Sequence, residues 1–330
     1  MLRVGLIGAG WVAAHHLAGW RREAARAKVV AIADPSLARA QARANEYAIG
    51  AVHADAASLL AAGQVDAIDI VAPRESHVAL VRLAAAEGVH VMCQKPLAPT
   101  WDEAIALCRD LAAAPATRVM VHENWRFRAA YRRIGEWLRA GRIGRVTQAR
   151  MTLLSSGLVA DANGIYPALA KQAFVAALER GLVMETLIHH LDTLRFLLGE
   201  MTVLSATLGR SCPAVVGEDR AELVLQTRAG VPVRVVADQC VAGESPTLVD
   251  RLLLTGDRGT IRFDGELLDC AGDQPERVTV DLEASYADSY ASAIRHFIDR
   301  LGDGRPFETG LEDNLETLRL VEQAYALARR

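Results

Sequence analysis

The chain contains very little lysine. Only three of its 37 basic residues are lysine, at positions 28, 95 and 171, and the others are arginine. Arginine stays charged at any working pH, whereas a lysine in a desolvated site can lose its proton and pass it on. Lys95, between Gln94 and Pro96, is therefore a candidate for chemistry that arginine cannot perform. An exposed residue at the end of a strand is the alternative interpretation.

The sequence also lacks a strong charge of either sign. Its net charge is -3 and its pI is about 6.3, so it has no basic stripe that would neutralise phosphates, which argues against nucleic acid as a partner. The longest apolar runs are interrupted before membrane-spanning length. The N-terminal sequence MLRVGLIGAG lacks the layout of a signal peptide. We expect a cytoplasmic protein without a membrane partner.

Cysteine is sparse and scattered. An odd number of thiols without a CxxC pair favours reduced side chains over disulfides or a zinc site. We therefore predict no metal. The five cysteines are Cys93, Cys108, Cys212, Cys240 and Cys270.

Short apolar runs alternate with alanine-rich helical patterns over the first 122 residues. The predicted strands are RVGLIG (3–8), VVAIAD (29–34), AIDIVA (67–72), VHVMCQ (89–94) and RVMVH (118–122). The segments VAAHHLAGW, SLARAQARANEY, HVALVRLAAAEG and TWDEAIALCRDLAAA between them are typical of helices. Such alternation predicts a Rossmann-type, doubly wound parallel sheet over residues 1–122.

The first turn has the pattern G-x-G-x-x-A and stands between a strand and a helix. Gly8 permits the tight turn, and Gly10 lets a pyrophosphate approach the backbone. The amides that open the helix, at Trp11 and Val12, can bind the phosphates. Asp34 ends the second strand, where a carboxylate can bind the ribose hydroxyls. The combination predicts a dinucleotide site, and a glycine turn with a solvated aspartate is the alternative.

Asp34 also bears on which dinucleotide binds. Its carboxylate would lie against the 2′-phosphate of NADP, and the residues that follow are Pro35 and Ser36. The nearest arginine, Arg39, is part-way along a helix. We therefore expect NAD rather than NADP as the cofactor.

Ligands of open parallel sheets bind beyond the carboxyl ends of the strands. This rule places Ala72-Pro73, His77 and Gln94-Lys95 around the same crevice. Lys95 would then lie near the nicotinamide, which weakens the interpretation of an exposed lysine.

The pattern changes in residues 123–330. The stretches 144–157, 203–210, 221–240 and 250–270 are typical of strands joined by tight turns, which predicts a second α/β domain with an open, mainly antiparallel sheet. Two final helices are predicted, from Tyr286 to Leu301 and from Leu311 toward Arg330. The C-terminal helix can pack back on the first domain.

Residues 181–199 are predicted to form a helix with an apolar stripe of leucines. Glu185, His189 and Asp192 lie together on the opposite face, while His190 points elsewhere. A histidine between two carboxylates suits acid–base chemistry, because the carboxylates orient the ring and stabilise its cation. A solvated polar face is the alternative, and nothing completes a metal site.

Three features together resemble the Gfo/Idh/MocA family of nicotinamide-dependent oxidoreductases. They are GAGWVA with Asp34, QKP at 94–96, and E-x-x-x-H-x-x-D at 185–192. The family motifs usually carry a glutamate where Gln94 stands and an aspartate where Glu185 stands. The segment MVHENWRF (120–127) resembles one that lines the family's cleft.

The resemblance implies oxidation of a sugar or cyclitol hydroxyl, with an aldose such as D-apiose as one candidate. It implies Lys95 and His189 as catalytic residues and Glu185 as a residue that orients the substrate or His189. It also implies a homodimer or homotetramer assembled through the second sheet. The implied cofactor-binding residues are Gly8, Gly10, Trp11, Val12, Asp34, Ala72, Pro73, His77, Gln94, Lys95 and Asn124. The implied substrate-binding residues are Lys95, His122, Arg126, Tyr166, Glu185 and His189.

Proteins with two other functions resemble this family. One is a non-enzymatic NAD(P)-binding sensor, although such proteins tend to lose the lysine and the histidine that this chain keeps. The other is an NAD-dependent glycosidase that recycles its NAD within each turnover. Accumulation of free NADH with a sugar would distinguish a dehydrogenase from both.

Overall fold

The computed structural model describes residues 1–113 and 116–328, which divide into two compact units. The first unit contains Met1–Arg128 and Tyr286–Glu316, and the second contains Ala129–Ser285 and the chain from Thr317 onward. The first unit thus extends beyond the predicted boundary at residue 122 and includes a second chain segment. This segment joins it because the apolar side chains of residues 293–298 pack in a cluster with Val4 and Trp20.

The first unit contains a six-stranded sheet in which every strand pair is parallel. The strands are β1 (Leu2–Ile7), β2 (Ala27–Ala33), β3 (Ala51–His53), β4 (Ala67–Ile70), β5 (His90–Gln94) and β6 (Val119–His122). Their spatial order is β3-β2-β1-β4-β5-β6. The predicted strands are confirmed, and the three-residue β3 is an addition that is too short to show a periodic pattern.

Helices connect these parallel strands. They are α1 (Trp11–Arg22), α2 (Leu37–Tyr47), α3 (Ala56–Ala61), α4 (His77–Ala86) and α5 (Trp101–Ala112). Ser36 caps α2 and Thr100 caps α5, each by accepting a hydrogen bond from a backbone amide in the first helical turn. The short α3 was not predicted. Ala114, the last residue of the predicted helical segment TWDEAIALCRDLAAA, lies outside the described residues.

The second unit contains an eight-stranded sheet. Its strands are β7 (Val146–Leu154), β8 (Met201–Gly209), β9 (Arg220–Thr227), β10 (Pro232–Asp238), β11 (Val249–Gly256), β12 (Thr260–Phe263), β13 (Leu267–Ala271) and β14 (Glu276–Thr279). Their spatial order is β14-β13-β12-β11-β7-β10-β9-β8. The prediction of a mainly antiparallel sheet is confirmed, and the one exception is the parallel pair β7–β10.

The remaining helices are α6 (Ala129–Arg139), α7 (Pro167–Lys171), α8 (Ile188–Leu198), α9 (Leu282–Asp303) and α10 (Leu311–Ala328). A wide π-helical turn, Val183–Leu187, precedes α8. The helices α6 and α7 were not predicted. The predicted continuation of the last helix toward Arg330 lies outside the described residues. Within residues 1–113 and 116–328, the structure contains no helix with the length and apolar character needed to cross a membrane.

Candidate cofactor and active-site residues

The glycine turn after β1 has the geometry that a dinucleotide requires. Gly8 has a φ of +107°, and a Cβ atom there would lie 2.8 Å from the carbonyl oxygen of Val71. Only glycine fits this position without strain. Gly10 faces open space, because a Cβ atom there would meet nothing within 4 Å. It also precedes α1 without a side-chain cap, so the helix N-terminus is available to phosphates.

Asp34 is bonded directly to this turn. Its carboxylate accepts hydrogen bonds from the amides of Ala9 and Ser36, each at 2.8 Å, and from the Arg39 guanidinium at 3.1 Å. Burial alone would raise the pKa of Asp34, but these donors outweigh it and hold the pKa below its usual value. Asp34, which follows β2, is therefore a buried anion that is hydrogen-bonded to the glycine turn after β1.

His77 lies between the ends of β4 and β5. Its Nδ1 is 2.8 Å from the carbonyl oxygen of Pro96, and its Nε2 is 2.9 Å from that of Ala72. Burial lowers the pKa of His77, although both carbonyls favour the charged ring. Pro73 precedes the short 3₁₀ turn Arg74–Ser76, which leads directly to His77. His77 thus connects the two loops predicted to bind the cofactor, and its ring nitrogens are engaged with protein carbonyls.

Gln94 ends β5 and Lys95 follows directly. The Gln94 side-chain oxygen accepts a hydrogen bond from the Lys95 backbone amide at 2.8 Å. Gln94 is buried, whereas Lys95 is partly accessible. Since the strands are parallel, Lys95 lies at the same edge of the sheet as Gly8 and Asp34.

The segment after β6 is buried. The His122 ring is 4.2 Å from that of His16 between centroids. Asn124 donates a hydrogen bond to Ser289 Oγ at 2.8 Å. Arg126 forms an ion pair with Asp313 at 2.8 Å and donates to the Glu308 carbonyl. The roles of these three side chains toward cofactor and substrate remain predictions.

Trp11 is 42% exposed, and its ring lies edge-on to that of His15. Val12, the second residue of α1, is partly buried and packs against the cluster that contains Leu17 and Ile32.

The predicted acid–base residues lie at the start of the second unit's buried helix. Glu185 is in the π-helical turn and is half-buried, while His189 is in the first turn of α8 and is 8% exposed. Asp192 is fully buried and accepts a hydrogen bond from Thr317 Oγ1 at 3.1 Å. The alternative of a solvated polar face is therefore wrong. Turns of the π type are often found at functional sites.

Both ring nitrogens of the buried His190 lie within hydrogen-bonding distance of protein oxygens. Its Nε2 is 2.9 Å from the Asp250 carboxylate, which also accepts a hydrogen bond from the Tyr131 hydroxyl at 2.7 Å. Its Nδ1 is 3.1 Å from the Thr186 carbonyl in the π-helical turn. His190 therefore has structural partners on both sides.

Tyr166, the predicted substrate contact, is also in the second unit. It immediately precedes α7 and packs against a small cluster that contains Leu158, Cys212 and Val215. The tyrosine is half-buried, and its contact with substrate remains a prediction.

Sequence reasoning missed a cluster of buried, hydrogen-bonded side chains in the first unit. His16 Nδ1 is 2.8 Å from the Asp69 carboxylate, which also accepts a hydrogen bond from Trp20 Nε1 at 2.7 Å. The available sequence signal was Asp69 itself, because a charged residue inside the apolar run AIDIVA needs a buried partner.

These features define a class of protein. A parallel sheet with a glycine turn that has room for a pyrophosphate, and a fixed acidic residue after the second strand, forms a Rossmann-type dinucleotide site. NAD fits this site: Asp34 would face the ribose hydroxyls, and the α1 amides would face the phosphates. The first unit is thus the cofactor-binding part of an oxidoreductase.

Comparison with known proteins identifies the family. Residues 2–123 match the model of the oxidoreductase family with an NAD-binding Rossmann fold, GFO_IDH_MocA, and residues 131–262 match the GFO/IDH/MocA C-terminal domain. The chain belongs to the GFO/IDH/MocA family. The predicted fold class, the cofactor NAD and the assignment as an NAD-dependent dehydrogenase are confirmed.

Several relatives match almost the whole chain. D-Apiose dehydrogenase from Paraburkholderia graminis is 35% identical, with 98% of this chain and 87% of the relative covered. The D-apiose dehydrogenase from Rhizobium rhizogenes is 33% identical, with 99% and 95% covered. A crystal structure of an oxidoreductase from Agrobacterium radiobacter in complex with NAD+, L-tartaric acid and magnesium has a TM-score of 0.91 and 30% identity, and covers 100% of this chain and 96% of that one.

Proposed function

We propose that the protein oxidises a hydroxyl group of a sugar or cyclitol with NAD, and that D-apiose is the first substrate to test. The observation that carries the proposal is the near full-length similarity to two D-apiose dehydrogenases. The positions of Lys95, directly after β5, and of His189, at the start of α8, support the proposal.

The proposed chemistry divides between these two side chains. NAD, when bound, supplies the hydride acceptor. His189 accepts the proton of the substrate hydroxyl as the carbon–hydrogen bond breaks, so the products are the carbonyl compound, NADH and a proton. The Lys95 ammonium donates a hydrogen bond to the reacting oxygen and stabilises its developing charge. Glu185 orients the substrate or His189.

The test is a panel of aldoses, polyols and cyclitols, with D-apiose included, in which NADH is followed by its absorbance. We expect turnover with D-apiose or a close relative, and its loss in Lys95→Met and His189→Ala variants that still bind NADH. Product identification by mass spectrometry would establish which hydroxyl is oxidised. The proposal would be overturned if no compound of the panel reduced NAD to NADH and no corresponding carbonyl compound oxidised NADH.

Two other functions give different results in the same assay. An NAD-dependent glycosidase would cleave a glycoside without net accumulation of NADH. A sensor would bind NADH without turning over any carbohydrate. The presence of both Lys95 and His189 favours the dehydrogenase over the sensor.

We further propose a cytoplasmic homodimer or homotetramer that associates through the eight-stranded sheet. The five cysteines are free thiols, which suits a reducing compartment. One face of the sheet mixes apolar and polar side chains. On this face, Val224 and Val236 are half-buried and lie beside the exposed Arg234. Light scattering after gel filtration should give at least twice the mass of the 35.6 kDa chain. A Val236→Glu variant should shift the mass toward the monomer, and a monomeric wild type would overturn this proposal.

A further inference from the structure

A continuous chain of buried hydrogen bonds leads to Lys95 within the first unit. Trp20 Nε1 donates to Asp69 at 2.7 Å, and Asp69 lies 2.8 Å from His16 Nδ1. On the other side of the ring, His16 Nε2 is 2.9 Å from Gln94 Nε2. Gln94 then connects to the backbone of Lys95.

The Lys95 backbone amide fixes the orientation of the Gln94 side chain. An amide N–H can only donate, and its partner at 2.8 Å must therefore be the Gln94 oxygen. The Gln94 NH₂ group consequently faces His16 at 2.9 Å. Its contact with His122 Nδ1 is longer, at 3.5 Å.

This orientation determines where His16 carries its proton. The Gln94 NH₂ group is a donor, so His16 Nε2 must accept and cannot carry a proton. The proton is then on Nδ1, where the Asp69 carboxylate accepts it at 2.8 Å. His16 and Asp69 are both fully buried, so an incorrect tautomer would leave a buried donor or acceptor without a partner, which is costly.

We propose that Gln94 is a positioning residue for Lys95, and that it acts by coupling the Lys95 backbone to a neutral His16 with its proton on Nδ1. Position 94 must therefore supply an acceptor to Lys95 and a donor to His16. Glutamine supplies both at once. An ionised glutamate has the same length but supplies only acceptors.

Glutamine and glutamate at position 94 require opposite protonation states of the contact with His16, so the two should respond oppositely to pH. With Gln94, protonation of His16 Nε2 would set two donors against each other. In a Gln94→Glu variant, the hydrogen bond between the side chain at position 94 and His16 Nε2 forms only when an additional proton lies between the two groups. This proton is lost as the pH rises. The other titratable groups that face His16 are Asp69 on β4, His122 on β6 and Tyr290 on α9, whose ring is 5.2 Å away.

The kinetic experiment compares Gln94→Glu and Gln94→Met with the wild type between pH 6 and 9. We expect the kcat of Gln94→Glu, divided by that of the wild type, to fall at least 10-fold as the pH rises. Gln94→Met should lower kcat about 10- to 100-fold at every pH, since small misplacements of a reacting group have effects of this size. The KM for NAD should change little. Gln41→Glu on the exposed surface of α2 makes the same chemical change, and its kcat should match that of the wild type.

A second measurement does not need a substrate. The ¹⁵N NMR shifts of the His16 ring, assigned by their absence in a His16→Gln variant, should show a protonated Nδ1 and an unprotonated Nε2 at pH 7.5. A protonated Nε2 would overturn the inference, as would wild-type kcat at every pH in both Gln94 variants. The inference concerns a residue of the proposed dehydrogenase. If the wild type oxidises no carbohydrate, that function fails, and the ring shifts still decide the His16–Gln94 geometry.

Discussion

The backbone amide of Ala9 donates a hydrogen bond of 2.8 Å to the carboxylate of Asp34, so the acidic residue after β2 is fixed to the glycine turn that follows β1. The same carboxylate pairs with Arg39, whose side chain is 63% exposed, whereas that of Asp34 is 7% exposed. The negative charge is therefore buried and held in place, whereas the positive charge beside it lies at the solvent-exposed surface.

This pairing predicts how the cofactor preference can be changed. Replacement of Asp34 by Ser should remove the charge that opposes a 2′-phosphate and release Arg39 to bind it. We expect the ratio of kcat/KM for NADP to that for NAD to rise at least 10-fold. The Asp34→Ser/Arg39→Gln double variant should lose most of this gain. Fluorescence titration with NADPH and NADH measures the binding change separately from turnover, and a wild type that prefers NADP would contradict this interpretation of Asp34.

The adjacent histidines of α8 should respond differently to substitution. His189→Ala should lower kcat by ~10²–10⁴-fold, the usual contribution of a general base, with NADH binding retained. His190→Ala removes the partner of the buried Asp250 carboxylate and should instead reduce the free energy of unfolding by about 1–3 kcal/mol. Steady-state kinetics and urea denaturation of both variants provide the comparison. The reverse assignment of the two effects would show that His190 is the base.

Lys95 should not be replaceable by arginine. The guanidinium keeps its charge, but its planar fork differs from the compact ammonium that we propose at the reacting oxygen. We expect Lys95→Arg to retain less than about 1% of wild-type kcat, within the range for loss of a group that stabilises transition-state charge. Lys28→Arg, on the exposed part of β2, is the matched control and should be fully active. Near wild-type turnover by Lys95→Arg would mean that any positive charge suffices.

His77 should make the stability of the protein depend on pH. Burial lowers its pKa below the ordinary value of 6.5, so the unfolded chain binds a proton more readily than the folded protein does. The free energy of unfolding should therefore fall as the pH drops below about 6.5, and level off below the folded pKa. His90 has a pKa lowered in the same direction, which makes a control necessary.

The control is a His77→Gln variant measured by urea denaturation at several pH values from 5 to 8. It should be less stable than the wild type at pH 8, because the link between the Ala72 and Pro96 carbonyls is altered. Its stability should also depend less on pH than that of the wild type. Identical pH dependence in the two proteins would exclude His77 as a source.

Local patterns in the sequence determined the Rossmann unit and its cofactor. Apolar runs such as AIDIVA predict buried parallel strands because both faces of such a sheet are covered. Gly8 and Asp34 were identifiable because G-x-G-x-x-A stands between a predicted strand and a predicted helix and because the carboxylate ends the second predicted strand. Lys95 was identifiable as a rare residue at a strand end. These features depend on a few neighbouring residues, which a sequence displays directly.

Tertiary structure alone decided what each of these side chains touches. His16 and Asp69 are 53 positions apart in the sequence, and no periodic pattern connects them. The return of residues 286–316 to the first unit and the partners of His190 likewise depend on contacts between distant segments. The sequence could place Gln94 beside Lys95, but only the fold brings His16 to the other side of Gln94. A buried polar group must then find its partners among residues that the packing of distant segments has brought near, and this requirement fixes the tautomer and the orientation of each group.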